Sequence, residues 1–247
     1  MSQLLHEHSV SRYYGRVMLM VLFVSLVMMT EIGGAAEEGK RSGEIGDVVA
    51  KLQARYDQTK DLQADFKQTT KIEGFATPIT SSGKMYIKKP GRLRWDYVDP
   101  NPEEIYVNGN EVKMYVPEHK QVLVGKLTQM AASQAPLELL QGVAKLEEQF
   151  DIDSAGSGEK VGGGGPRLTL IPKPTGEESV RTVAKIVLDL HPKSYYIQKV
   201  AIHEISGNVA TFQFNNLKPN AGLKNALFEF TVPPDVEVVK APRLSPP

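Results

Sequence analysis

The chain has no cysteine, which excludes a disulfide framework, a thiolate metal site and a thiol nucleophile together. It has no surplus of charge either: 29 basic side chains balance 29 acidic ones. The one-signed basic face that duplex nucleic acid demands is therefore missing. Histidine is scarce. His6 and His8 fall in the N-terminal segment, and His119, His191 and His203 lie far apart with no partner at metal-ligand spacing, so neither a metal site nor a cofactor is expected. No Gly-x-Ser-x-Gly elbow is present. The pairs Glu103-Glu104, Glu147-Glu148 and Glu177-Glu178 are adjacent residues at strand or loop edges, where neighbours point to opposite faces or to solvent. The chain reads as a non-enzyme.

Long apolar runs are missing as well. The stretch from Val17 to Met29 is shorter than the ~20 residues of a spanning helix. Arg12 and Arg16 precede it, and the small residues Gly33, Gly34, Ala35 and Ala36 follow. That is the order of a secretory signal, so residues 1–36 are expected to be cut away after Ala36, leaving 37–247 as a single exported domain. The cut removes two charges of each sign and keeps the balance at zero. An exported chain without cysteine offers no thiol for an N-terminal lipid anchor, so a soluble protein between membranes is the expectation. It must rely on a packed core for stability, and ~200 residues suffice to build one.

What is present is mostly strand pattern. A helix is predicted from Ser42 to about Asp61, with Ser42 as cap and Val48, Val49, Leu52 and Tyr56 at helical spacing. Then Ala64, Phe66 and Gln68 alternate with Asp65 and Lys67, and Met85 and Ile87 with Lys84, Tyr86 and Lys88. In "KKPGRLRWDY", Leu93, the only tryptophan Trp95, and Tyr97 share one face, while Arg92, Arg94 and Asp96 share the other. The apolar face of this strand covers either a packed core or a cavity. Ile105 to Val107, the Asn108-Gly109 turn, and Val112, Met114 and Val116 predict a hairpin in an antiparallel meander. From Lys126 to about Gly142 a short, strongly apolar helical insertion carries Met130, Leu137, Leu139 and Leu140. Further strands are predicted around Phe150, over Leu168 to Ile171, Val183 to Leu190, Tyr195 to Ile205, Val209 to Phe214, and Leu227 to Val232. The Gly/Ser-rich stretch ending at Gly165 reads as a surface loop and "KAPRLSPP" as a proline-rich tail. The fold class is mainly β with some helix (α+β): one open, curled, antiparallel sheet whose apolar inner face either fills itself or encloses a hydrophobic cavity.

"DLQADFKQTT", "GKMYIKKPGRLRWDY", "DPNPEEIYVNGNEVKMYVPEHKQV", "APLELLQG" and "LFEFTVPPDVEVV", in this order, resemble the periplasmic outer-membrane lipoprotein carrier family, LolA. The likeness spans about residues 45 to 240. It implies an unclosed β-barrel under a helical lid, and a monomeric, non-enzymatic periplasmic chaperone. Such a chaperone takes lipoproteins from an inner-membrane ABC transporter and carries their acyl chains to an outer-membrane acceptor. By this resemblance Leu52, Phe66, Met85, Ile87, Leu93, Trp95 and Met114 line the acyl-chain cavity, and Met130, Leu137, Leu139 and Leu140 belong to the lid. Lys89 stands where the family places a basic residue that clamps the lid through helix carbonyls, with Arg94 as a second candidate. Many relatives have arginine at the Lys89 position, and lysine lacks its planar fork. Other readings of the same pattern are a lipid-binding periplasmic sensor, an exported hydrolase on a barrel scaffold, or a plain structural β-domain.

Overall fold

The protein is described from a computed structural model, which covers residues 43–126, 146–153, 164–173 and 183–240. The expected signal segment 1–36, the insertion carrying Met130, Leu137, Leu139 and Leu140, and the proline-rich tail lie outside these residues. From Ile45 onward the described residues form one compact unit.

A helix, α1, covers residues 43–57. It buries Ile45, Val49, Leu52 and Tyr56, a stripe at spacings of four, three and four residues, and presents its charged residues outward. The helix does not reach Asp61 as predicted. Thr59 turns back, its hydroxyl donating to the Arg55 carbonyl at 2.8 Å. Asp61 instead opens the first strand, where its carbonyl accepts the Asn220 amide at 2.7 Å and its carboxylate the Gly222 amide at 3.1 Å.

Twelve strands follow: β1 (Asp61–Lys71), β2 (Ile79–Lys88), β3 (Arg92–Asp99), β4 (Glu103–Asn108), β5 (Glu111–Val116), β6 (Gln121–Lys126), β7 (Phe150–Ile152), β8 (Arg167–Pro172), β9 (Val183–Leu190), β10 (Ile197–Glu204), β11 (Val209–Pro219) and β12 (Glu237–Lys240). A four-residue helix, α2 (Leu146–Gln149), leads into β7. The strands form one sheet in the order β12-β6-β5-β4-β3-β2-β1-β11-β10-β9-β8-β7, so β1 sits at the centre and pairs with β11 across most of the chain's length. The sheet is open: β7 and β12 are its two ends and do not pair with each other.

Two sequence expectations fail at the β12 end. The alternation in Leu227 to Val232 does not make a strand. Asn225–Phe228 is a 3-10 turn, and Phe230 lies against Tyr106 and Tyr115 with ring centroids 5.1 and 5.3 Å apart. The apolar period there records packing of aromatics across a sheet face, not ladder pairing, and Pro233-Pro234 could supply no ladder donors in any case. The strand forms later, at β12, and it pairs with β6 in parallel, so the sheet is not antiparallel throughout. β6 itself, unforeseen from the sequence, is brought back along β5 by a 3-10 turn at Pro117–His119 whose exit residue Lys120 takes a left-handed conformation, φ 49°.

Two glycines are fixed by close approach. A Cβ on Gly83 would stand 1.8 Å from the Asp96 carbonyl oxygen and 2.9 Å from the Phe66 ring, so β2 and β3 could not pair around it. Gly165, last of the glycine run, is buried, and its Cβ would stand 1.8 Å from the Leu190 carbonyl. The run therefore ends as a packing device at the start of β8.

Candidate functional site

Register alone lines up the inner face. Ala64 pairs with Met85, Met85 with Trp95, Trp95 with Ile105, Ile105 with Met114 and Met114 with Leu123, giving one apolar row across β1 to β6. The next row runs Leu62, Ile87, Leu93, Val107 and Val112. On the other half Phe214, Val200, Leu188 and Leu168 occupy the same side. Ala64, Met85, Trp95, the Leu62 row, the four residues of the other half and the α1 stripe belong to one hydrophobic cluster; Ile105 packs against it, and Met114 and Leu123 are not part of it.

Of the seven residues expected at a cavity, Leu52, Phe66, Met85, Ile87, Leu93 and Trp95 are buried in that cluster. Met114 is on the same face but half-buried, like Ile105 and Leu123 beside it. The inner face is thus closed under α1 and more accessible toward β6. Leu62, Val107 and Val112 were not anticipated as lining residues. Their alternation within predicted strands was the signal, and only pairing register shows that it continues the Leu93 and Trp95 rows.

An aromatic group surrounds Trp95. Phe66 lies with its centroid at 4.5 Å, Phe212 stands edge-on at 5.6 Å and Phe214 at 6.2 Å. Tyr97 completes it, 5.2 Å from Phe66, across the space that Gly83 leaves free. The interior turns polar just beyond. The Tyr97 hydroxyl donates to Gln68 Oε1 at 2.7 Å, and Gln68 Nε2 to Thr70 Oγ1 at 3.1 Å. Burial, and then the Glu103 carboxylate, push the Tyr97 phenol up to about 12.

The C-terminal end of α1 is held from two sides. Lys89, in the β2–β3 turn, donates through Nζ to the Tyr56 carbonyl, and its own amide donates to the Lys60 carbonyl at 2.9 Å. Loss of hydration lowers the Lys89 pKa, with Asp57 acting against that shift. From the β9–β10 turn, the Ser194 carbonyl accepts from Arg55 Nε at 2.9 Å, and the Tyr196 hydroxyl donates to Thr59 Oγ1 at 2.9 Å. Tyr56 and Tyr196 meet edge to face at 5.6 Å. Arg94 is engaged elsewhere. Its Nε donates to both Asp96 carboxylate oxygens at 2.8 and 3.0 Å, its guanidinium lies 5.0 Å over Tyr106, and Nη1 reaches the Leu227 carbonyl at 3.5 Å. It ties the outer face of β3 to the 3-10 turn before β12. On that outer side a groove of about 300 Å³ is lined by Gln63, Asp65, Lys84, Tyr86, Asn216 and Lys218 among others, and is too charged for hydrocarbon. Among the described residues no cluster of His, Asp or Glu is arranged to hold a metal ion.

A curled, unclosed sheet with a continuous apolar inner face, closed by a helix that polar side chains pin at one end, defines the class. Residues 57–231 match the family described as outer membrane lipoprotein carrier protein LolA. An outer-membrane lipoprotein carrier protein from Methylococcus capsulatus is 32% identical over 76% of this chain and 86% of its own. One from Methylobacillus flagellatus is 29% identical over 78% and 89%. A solved structure of a conserved protein from Thermus thermophilus superposes with a TM-score of 0.50 at 12% identity, covering 80% of this chain and 99% of that one, a likeness of fold alone. The chain belongs to the LolA family.

Proposed function

We propose that the protein is a periplasmic, non-enzymatic carrier. It receives outer-membrane-directed lipoproteins from an inner-membrane ABC transporter, shelters their acyl chains against the inner face of the sheet, and yields them to an outer-membrane acceptor, with residues 1–36 serving as its export signal. The observation that carries this reading is the unbroken apolar row from Ala64 to Leu123, whose Ala64 to Trp95 part packs in one cluster with α1. The family relationship supports it. In this reading Leu52, Phe66, Met85, Ile87, Leu93, Trp95 and Met114 contact the cargo, and Met130, Leu137, Leu139 and Leu140 belong to a lid.

The energetics are consistent with carriage. Burying a chain of about sixteen carbons at ~0.8 kcal/mol per CH₂ is worth on the order of 10 kcal/mol. Release from so deep a well would be slow unaided. A closed, empty state in which the protein's own side chains occupy the interior offsets part of that gain by competing with the ligand. Lys89, bonded to the Tyr56 carbonyl, is suited to favouring that state.

The test is to mix the purified protein with spheroplasts displaying an outer-membrane-type lipoprotein. The expected result is lipoprotein in the soluble fraction as a one-to-one complex. If a folded protein released none yet still bound a fluorescent fatty acid, a lipid-binding sensor would replace the carrier; if it bound nothing, the inner face would be plain core.

A further inference from the structure

Trp95 is 9% exposed, and its indole Nε1 is the buried side-chain polar atom without a hydrogen-bond partner among the described residues. Burying a donor without an acceptor costs free energy that a phenylalanine in the same place would avoid. The neighbours that enclose it are the rings of Phe66, Phe212 and Phe214, none of which carries an acceptor atom. On the fourth side is Tyr97. Its oxygen, which keeps a lone pair after giving its proton to Gln68, is close enough to the indole N–H for the contact to lower the phenol pKa, but the pair does not reach hydrogen-bond geometry. The unused donor therefore stands at the boundary between the hydrocarbon-like rows and the polar ladder Tyr97, Gln68 and Thr70.

An acyl lipid has the same division. Its alkyl chain is apolar down to its second carbon, and the first is a carbonyl whose oxygen supplies an acceptor and no donor. We infer that the Trp95 Nε1–H is a recognition donor for the acyl carbonyl of the bound lipid, ester or amide, which fixes how deeply the chain is inserted. The inference rests on the carrier reading above. It adds a polar specificity determinant to a surface otherwise selective only for hydrocarbon. The alkyl chain then runs along the Met85 and Ile87 rows toward α1, and the remainder of the lipid lies on the Gln68 and Thr70 side.

The test uses three probes of equal chain length: a monoacylglycerol, the matching alkyl-glycerol ether that lacks the carbonyl, and an N-acyl amino alcohol. Binding is measured to the wild-type protein and to Trp95→Phe. The wild type should prefer the ester, the amide or both over the ether by about five- to tenfold, as one added hydrogen bond implies. Trp95→Phe should bind all three alike. Which carbonyl probe gains tells ester from amide recognition. A second measurement needs no variant: the infrared carbonyl stretch of the preferred carbonyl probe, ¹³C-labelled, should fall on binding to the wild type. As the chain has one tryptophan, its fluorescence reports ligand at this residue alone. Equal binding of ester, amide and ether with an unshifted carbonyl band overturns the inference and leaves the carrier reading intact. Binding of none of the three overturns both.

Discussion

Lys89 holds a cation where water is thin. Its Nζ has the Tyr56 carbonyl at the end of α1 as partner, and the partial negative charge of a helix C-terminus favours a cation there. Desolvation works the other way and lowers the pKa, so the lysine is retained against a cost. Replacing it by leucine removes that bond to α1 while Arg55 and Tyr196 keep theirs on the far side. The expected consequence is a closed state that competes less well with ligand. A fluorescent fatty acid should then leave Lys89→Leu several-fold more slowly than the wild type in stopped-flow displacement, with Lys89→Arg close to normal. An unchanged release rate in the leucine variant would mean that the contact is a helix anchor with no part in hand-over. Arg94 is a different kind of cation, paired with Asp96, lying over Tyr106 and within reach of the Leu227 carbonyl.

At the scale of elements, the segment between β11 and β12 has no ladder of its own up to residue 236. It depends on Phe228, which is buried, on Phe230 between Tyr106 and Tyr115, and on the Arg94 contact to Leu227. Phe230→Ala should therefore destabilise the protein by about 2 kcal/mol, less than a fully buried phenylalanine because this one is half-buried. The urea midpoint should fall, and amide protection in β12 should be lost before that in β1 and β11. If β12 stayed as protected as the central strands, parallel pairing with β6 alone would hold it. This segment is also where the sequence was least legible. Alternation located β1 to β5 and placed Leu93 and Trp95 inward, because β3 buries these two more deeply than the charged residues between them. The same period at Phe228, Phe230 and Val232 belongs to no strand, Phe230 packing instead on outer-face Tyr106 and Tyr115, and period two cannot tell the two apart. Parallel pairing of β12 with β6 depends on partners 116 residues distant, as between Gln121 and Glu237, and leaves no local signature. The inward stripe of α1 was legible. Its stop was not, since the Tyr196 and Asn220 side chains that hold Thr59 and Lys60 there come from distant parts of the chain. For the candidate site, residue types and faces were readable, whereas the unpaired indole nitrogen became visible only with its surroundings in place.

For the whole molecule, carriage asks for an interior that accepts hydrocarbon and gives it up. In the proposed function the apolar rows serve the first need, and the polar contacts at the end of α1 serve the second. One feature of the sheet bears on both: β7 and β12 are its ends and share no hydrogen bond. In a sealed barrel the strand number and stagger fix the girth, and widening it means breaking a ladder. Here the ring is a spring clip. It can spread by a slight change in twist at each of eleven strand junctions, with every backbone bond intact. Cargo with more or thicker chains should thus be admitted by elastic opening, and the radius of gyration from X-ray scattering should rise smoothly with the number of chains carried. A stepwise change, or none, would mean that the girth is as fixed as in a sealed ring.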